Sequence, residues 1–333
     1  MSFNPDSGGK IATAVDVALN NPANNQVLTY DGSTAKWKNA ATTGGSGGSP
    51  AYTSTLDTTR PQYPTPGTGS YQLVWSDTFT LPQGQSTAAV DASKWTHQTG
   101  TGAGYFNYGW GNQEIETYTT SQTNTQVTSQ GLEIRAINQS ATGYDGAGAW
   151  TSGKIVTKGK FACTYGKIEV EAKVPYGKGA WPAFWMLGDD FPQHQWPSCG
   201  EIDIMEIGKA GNFSNLHATL HGPGYAGEYG PTTMYTHSQL LSNAYHTYSV
   251  EWGPDSFKWL LDGVVYATIL RANIPQPADW VFDHPFYLIL NVAIGNGGFT
   301  GPLDVGTFQT GTFNGQTSAY ATMIVKSVKV YQK

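Results

Sequence analysis

Charge is scarce in this chain. Asp, Glu, Lys and Arg make up 13% of its 333 residues, about half of the ~25% usual in soluble proteins. Cysteine is scarcer still, with two residues, Cys163 and Cys199. Two thiols are too few for a zinc cluster, and no histidine pair stands at ligand spacing near them. They read either as one disulfide or as two isolated buried thiols, because sequence does not fix the distance between them. Lysine and arginine never run together, and the net charge is −6. Nucleic-acid binding rests on cations that neutralise phosphates, so a nucleic-acid partner is excluded. No stretch approaches the ~18 apolar residues of a membrane span, which excludes a membrane partner of that kind. Met1 to Lys10 lacks the apolar core of a signal peptide.

The chain is instead rich in turns and rings. It has 41 Gly, and aromatics reach 13%, with 11 Trp and 19 Tyr. This is the composition of a large β-protein with an aromatic-lined surface. Such a surface suits sugar rings, whose C–H faces are apolar and whose rims are polar; many of the aromatics also serve as core. Lys167 to Val174 alternates strictly, with Ile168, Val170, Ala172 and Val174 on one face. Tyr248, Val250 and Trp252 share one side of a second strand. Phe257 to Leu261 turns at Asp262-Gly263 into Val264-Val265-Tyr266, a hairpin signal. Phe286 to Ile294 and Met323 to Tyr331 read as further strands. Many strands joined by Gly, Asn and Pro turns predict an all-β fold, a β-sandwich of jelly-roll type with a concave cleft.

The chain divides into three parts in this reading. Residues 1–40 form a small N-terminal appendage of unknown role, with a hairpin from Gln26–Tyr30 through Asp31-Gly32 to Trp37. This segment resembles a short module of phage tail-fibre and structural proteins. Residues 41–70 are a linker, Gly/Ser-rich at Thr42 to Ser49 and stiffened by Pro61, Pro64 and Pro66. Residues 71–333 are the main domain.

Within it, Glu201-Ile202-Asp203-Ile204-Met205-Glu206 places three carboxylates in six residues. On a strand, Glu201 and Asp203 share one face and Ile202 and Ile204 the other. Glu206 is out of phase by one residue, and a bulge at Ile204-Met205 returns it to the acidic face. Clustered acids raise one another's pKa, which marks a functional site more often than a solvated face. The flanking Trp196, Pro197, Cys199 and Gly200 read as interior. A calcium site is the other sharp reading of clustered acids, but the stretch lacks the loop residues and Gly of a calcium loop. Paired carboxylates about 5 to 5.5 Å apart hydrolyse glycosides with retention, one as nucleophile and one as acid/base.

These acids, with other segments in order, resemble glycoside hydrolase family 16. Those segments are Trp110 to Glu114, Thr151 to Lys154, Tyr165 to Glu169, Gly179 to Gly188 and His217 to Tyr225. The bulged Glu-x-Asp-x-x-Glu spacing is that of its laminarinase, agarase and carrageenase branches. The resemblance implies a retaining endo-β-1,3-glucanase, acting also on mixed-linked β-1,3/1,4-glucan. It implies Glu201 as nucleophile, Glu206 as acid/base and Asp203 as the assisting carboxylate. Trp181 and Trp185 become sugar platforms, and Trp110, Asn112 and His221 further substrate contacts, with His217 a weaker candidate. No cofactor is required. A structural calcium of relatives lacks its acids here, since Thr78 and Lys326 occupy those positions. The loop Gly297 to Gly301 replaces a Trp-Pro-Gly common in relatives. A β-glucan partner, a monomer and an extracellular place of action are expected. A non-catalytic β-glucan-binding module and a galactan- or carrageenan-cleaving enzyme are the alternatives.

Overall fold

The structure is a computed structural model. It describes residues 67–103, 108–139, 149–208, 211–227, 230–274 and 280–333, and the backbone of three strands before them. The chain divides into two compact units, Met1–Thr55 and Leu56–Lys333. The first contains β1 (Val17–Ala18), β2 (Gln26–Asp31) and β3 (Lys36–Ala41). β2 and β3 pair antiparallel with Tyr30 opposite Trp37, as expected of a hairpin, and β1 joins β3 in parallel. The turn at Gly32 and most of the linker expected over 41–70 lie outside the described residues.

The second unit is built almost wholly of strands. In chain order these are β4 (Gln72–Asp77), β5 (Thr96–His97), β6 (Glu116–Tyr118), β7 (Thr125–Thr128), β8 (Gly131–Ile137), β9 (Trp150–Ser152) and β10 (Lys154–Val156). Next come β11 (Gly166–Lys173), β12 (Ala180–Gly188), β13 (Glu201–Ile207), β14 (Asn215–His221), β15 (Thr232–Thr236), β16 (His246–Gly253) and β17 (Ser256–Leu261). β18 (Val264–Leu270), β19 (Phe286–Ile294), β20 (Gln309–Phe313) and β21 (Gln316–Gln332) complete them. One sheet runs β15-β14-β13-β12-β19-β10-β5. The other runs β18-β17-β16-β11-β21-β8-β9-β6, with β4 and β20 also on β21 and β7 on β8. The all-β sandwich expected from the alternation is therefore present.

Local chemistry explains the individual strands. In β11 burial alternates along the whole length, with Ile168, Val170 and Ala172 at 0% exposure, because one face meets the core and the other meets water. The β17–β18 hairpin turns through Asp262 and Gly263, both at positive φ (50° and 79°), which is the geometry of the favoured two-residue turn. β19 is buried at all nine positions, since the sandwich core covers one face and cleft-side groups cover the other. β21 is longer than expected and stays within one sheet, where its length pairs with β20, β8, β11 and β4.

The main core lies between the sheets and contains Trp95, Trp150, Trp259, Phe184, Phe257 and Phe286, all nearly or fully buried. Truncating one such ring to Ala costs roughly 3–5 kcal/mol. A second, smaller cluster of Val156, Leu187, Phe191, Cys199, Tyr287 and Ile289 packs with Trp185. By strand alternation Leu187 shares the face of Trp185, so this cluster sits on the opposite face from the core. Cys163 and Cys199 are both buried and form no disulfide, which decides for two separate thiols.

Candidate active site

The site is made by one irregularity in β13. Opposite β14, Asp203 pairs with Thr219 and Glu206 with His217, so two residues of β13 face one of its neighbour. The shift recurs against β12, where Trp185 pairs with Asp203 and Phe184 with Met205. This is the bulge expected at Ile204-Met205. Its consequence is visible in the core: Ile202, Ile204, Met205 and Ile207 all belong to it, two of them consecutive. Glu201, Asp203 and Glu206 are left on the other face. A bulge leaves ladder groups unpaired, and one partner comes from the facing sheet. The indole N–H of Trp259 on β17 donates to the Asp203 carbonyl at 2.8 Å.

Each outer acid is held by an indole. Trp181 Nε1 donates to Glu206 Oε1 at 3.0 Å, and Trp196 Nε1 donates to Glu201 Oε2 at 2.6 Å. Burial pushes the Glu206 carboxyl well above its usual range, helped by the nearby charges of Asp203 and Glu201 and opposed by His221 and the Trp181 N–H. Burial also raises Asp203 strongly, aided by the charge of Glu201 and by a hydrogen bond with it. His221 stands opposite Glu201 in the strand pair. Its Nδ1 accepts the Gly227 N–H at 3.1 Å, which leaves Nε2 to carry the proton. That Nε2 lies 3.1 Å from Asp203 Oδ2, but off the N–H direction, so the contact is close in distance and poor in hydrogen-bond alignment. The arrangement suits proton transfer by Glu206 and attack by Glu201 on a bond held between them.

A second network supports the neighbouring floor. Trp185 Nε1 donates to Asn291 Oδ1 at 2.7 Å, and Asn291 Nδ2 donates to the Tyr118 hydroxyl at 3.0 Å. Tyr118 in turn donates to Glu114 Oε2 at 3.2 Å, and Asn112 Nδ2 donates to Glu114 Oε1 at 3.3 Å. Two of the expected residues, Asn112 and Trp185, are thus ends of one chain. Lys154, 3% exposed, lies with its Nζ 4.0 Å from the Trp110 ring centre and 5.0 Å from that of Trp185. Burial presses it down to about 8, against the pull of Glu114, Glu116 and Glu201. Trp110 is placed differently from expectation. It is 4% exposed and backs Lys154 and Tyr118, so its ring offers no open face to a sugar.

Trp181 and Trp185 are half-buried on the acidic side of β12. Phe299, from the loop that departs from the common pattern, covers the Trp181 ring at 4.6 Å and meets His217 edge-on at 5.2 Å. His217 is buried opposite Glu206. Sequence reasoning missed Glu114, Tyr118, Lys154, Asn291 and Phe299. It also took Trp196 as interior, whereas that ring is 36% exposed beside Glu201. Among the described residues, the one acid and imidazole group close enough to share a cation is Glu201, Asp203 and His221, with ligand atoms within 4.8 Å of one another. At the two positions where acids were expected for calcium, Thr78 faces the Thr80 hydroxyl at 3.0 Å and the Lys326 ammonium stands 5.0 Å from the Tyr245 ring centre. A cation beside a lysine ammonium is a poor fit.

Comparison with known proteins gives a matching family, curated relatives and solved structures. The family model described as Glycosyl hydrolases family 16 matches residues 104–297. The glucan endo-1,3-beta-glucosidase A1 of Niallia circulans is 33% identical over 287 residues, 80% of this chain, which spans 39% of that relative's length. The beta-glucanase of Rhodothermus marinus is 36% identical over 236 residues, covering 68% of this chain and 76% of the relative. Among solved structures, the laminarinase catalytic domain of Thermotoga maritima superposes with a TM-score of 0.70 at 36% identity, over 80% of this chain and 99% of that one.

Proposed function

The chain belongs to glycosyl hydrolases family 16, and from that premise we propose that it is a retaining endo-glycosidase of β-1,3-glucan. One observation carries the reading: the bulge that sets Glu201 and Glu206 on one face with Asp203 between them. Glu206, held protonated by burial, gives its proton to the leaving glycosidic oxygen. A Glu201 oxygen bonds to the anomeric carbon as that glycosidic bond breaks. Water then attacks the anomeric carbon and passes a proton to Glu206, while the bond to Glu201 breaks and its electron pair returns to the carboxylate. Asp203, buried between them and pushed up by burial and by the charge of Glu201, is proposed as the assisting carboxylate. Trp181 and Trp185 are proposed as sugar platforms, with Asn112 and His221 as polar contacts.

The substrate class rests on similarity to proteins named as endo-1,3-β-glucosidase and laminarinase. Some relatives named as endo-1,3-1,4-β-glycanases extend the proposal to mixed-linked glucan. Presence of all three acids argues against a purely binding module. The proposed chemistry uses side chains alone, with no cofactor. Such polymers lie outside cells. We therefore place the activity outside the cell, to be checked by fractionating the native host's medium. The test of function is Glu201→Gln on laminarin, lichenan, agarose and carrageenan. It should keep laminarin binding and lose nearly all hydrolysis. Wild-type turnover in that variant, or a wild type active on agarose but not laminarin, contradicts the reading.

A further inference from the structure

The N–H of Trp196 on the nucleophile calls for a role, because Trp196 is a partly exposed ring on a loop, not a strand neighbour of Glu201. The loop is fixed at several points. Lys158 Nζ donates to the Asp189 carbonyl at 3.0 Å and also to that of Phe191. The carboxylate of Asp190 meets His194 Nδ1 at 2.9 Å and His284 Nε2 at 3.2 Å. Gln195 Nε2 donates to the Pro192 carbonyl at 2.7 Å, and Phe191 and Cys199 are buried in the smaller apolar cluster. Gly188, at the loop's start, has no room for a side chain: a Cβ there would lie 2.0 Å from the Cys199 carbonyl oxygen. So the indole that rests 6.0 Å from the His221 ring is carried to Glu201 Oε2 by a braced segment.

We infer that Trp196 is a catalytic residue of the second half-reaction, its N–H hastening release of the sugar from Glu201. The inference rests on the proposed retaining mechanism and deepens it. A neutral N–H donor binds a carboxylate more strongly than an ester oxygen. In the first step the free carboxylate already holds this bond, and its charge falls as the bond to the anomeric carbon forms. The bond therefore gives the first transition state nothing beyond what the free enzyme has. In the second step the starting state is the neutral glycosyl ester. Water adds to the anomeric carbon, its proton goes to Glu206, and the pair of electrons in the bond to Glu201 returns to the carboxylate. Negative charge grows on Glu201 as that transition state is reached, and the Trp196 N–H meets it without reorganisation.

The asymmetry predicts a change in which step limits turnover. In Trp196→Phe the second step slows roughly tenfold or more, from loss of a charge-assisted hydrogen bond, while the first is unchanged or slightly faster. The assay is rapid mixing with 2,4-dinitrophenyl β-laminaribioside, followed by acid quench and intact-protein mass spectrometry. Trp196→Phe should show a burst of dinitrophenolate near one per enzyme and a protein heavier by the laminaribiosyl group, at a higher occupancy than wild type. Trp196→His, which restores a ring N–H, should recover part of the lost turnover and lower that occupancy. A fall in turnover with no added burst and no added covalent species overturns the inference, as does a variant with wild-type partition. If Trp196→Phe does not fold, Trp196→Leu, which also lacks an N–H, decides against wild type by the same burst and mass readouts, an unchanged partition overturning the inference. A wild type that cleaves neither this glycoside nor laminarin overturns the functional reading itself, which keeps the two failures apart.

Discussion

Trp181→Phe isolates one hydrogen bond from the rest of the site. The variant keeps an aromatic ring under Phe299, which packs on Trp181 at 4.6 Å, and deletes the N–H that reaches Glu206 Oε1 at 3.0 Å. That bond favours the charged carboxylate and so holds the Glu206 pKa down, against burial and against the charges of Asp203 and Glu201. A hydrogen bond to a charged group is worth about 1.5–3 kcal/mol, and one pKa unit is about 1.36 kcal/mol. Trp181 is half-buried at a cleft rather than dry, so the lower figure applies, giving a rise of about one unit. Glu206 must be protonated to act as the acid. The alkaline limb of kcat/KM, which reports the free enzyme, should therefore move up by about one unit in Trp181→Phe. The assay is the pH profile of laminarin hydrolysis by reducing-sugar release for both proteins. An alkaline limb that stays in place, or moves down, refutes the assignment of Glu206 as the acid held by Trp181.

Three further outcomes follow from the same geometry. Glu206→Gln should raise Tm at pH 8 by roughly 2–6 °C for a gain of about 1–2 kcal/mol. The folded pKa of Glu206 is raised, so its contribution is full below the unfolded pKa and is lost as pH rises through the folded one; near pH 4 the gain should vanish, as calorimetry at both pH values will show. Trp259→Phe removes the donor to the Asp203 carbonyl inside the bulge and should cost about 1–3 kcal/mol by denaturant melt, with a loss of kcat and little change in KM; a kcat equal to wild type contradicts the bulge's dependence on that bond. Neither a thiol reductant nor EDTA should move Tm, because Cys163 and Cys199 form no disulfide and Lys326 occupies an expected calcium position; a drop of several degrees with either reagent contradicts the corresponding statement.

How much of this was legible in the sequence depended on range. The alternation of Ile168, Val170 and Ala172 is a local property, and β11 buries those residues. The bulge was legible for the same reason, since a one-residue phase error in Glu201, Asp203 and Glu206 has one simple remedy on a strand. The partners that hold those acids were not. Trp259 reaches Asp203 from the opposite sheet, across 56 residues of chain. The Lys154 ammonium is enclosed by Trp110, Tyr118 and Trp185, which converge only when their separate strands and loops pack. Trp110 and Trp196 were misplaced in opposite senses. The family resemblance implied a substrate contact for the first and the flanking residues suggested burial for the second, whereas Lys154 covers Trp110 and the braced loop turns Trp196 toward the nucleophile. Phe299 was hidden because a Gly-rich loop gives no periodicity from which to infer where its one ring points.

The central claim is that Glu201 and Glu206, brought to one face by the bulge, act as nucleophile and acid/base in a double displacement. Proton NMR of the anomeric region during the first minutes of laminarin hydrolysis tests it most directly, before mutarotation mixes the products. Two displacements at one carbon restore its configuration, so the account predicts that the β-anomer of the new reducing end appears first and decays into the α-anomer. An α-anomer that appears first means a single displacement by water, and would contradict the assignment of Glu201 as the nucleophile.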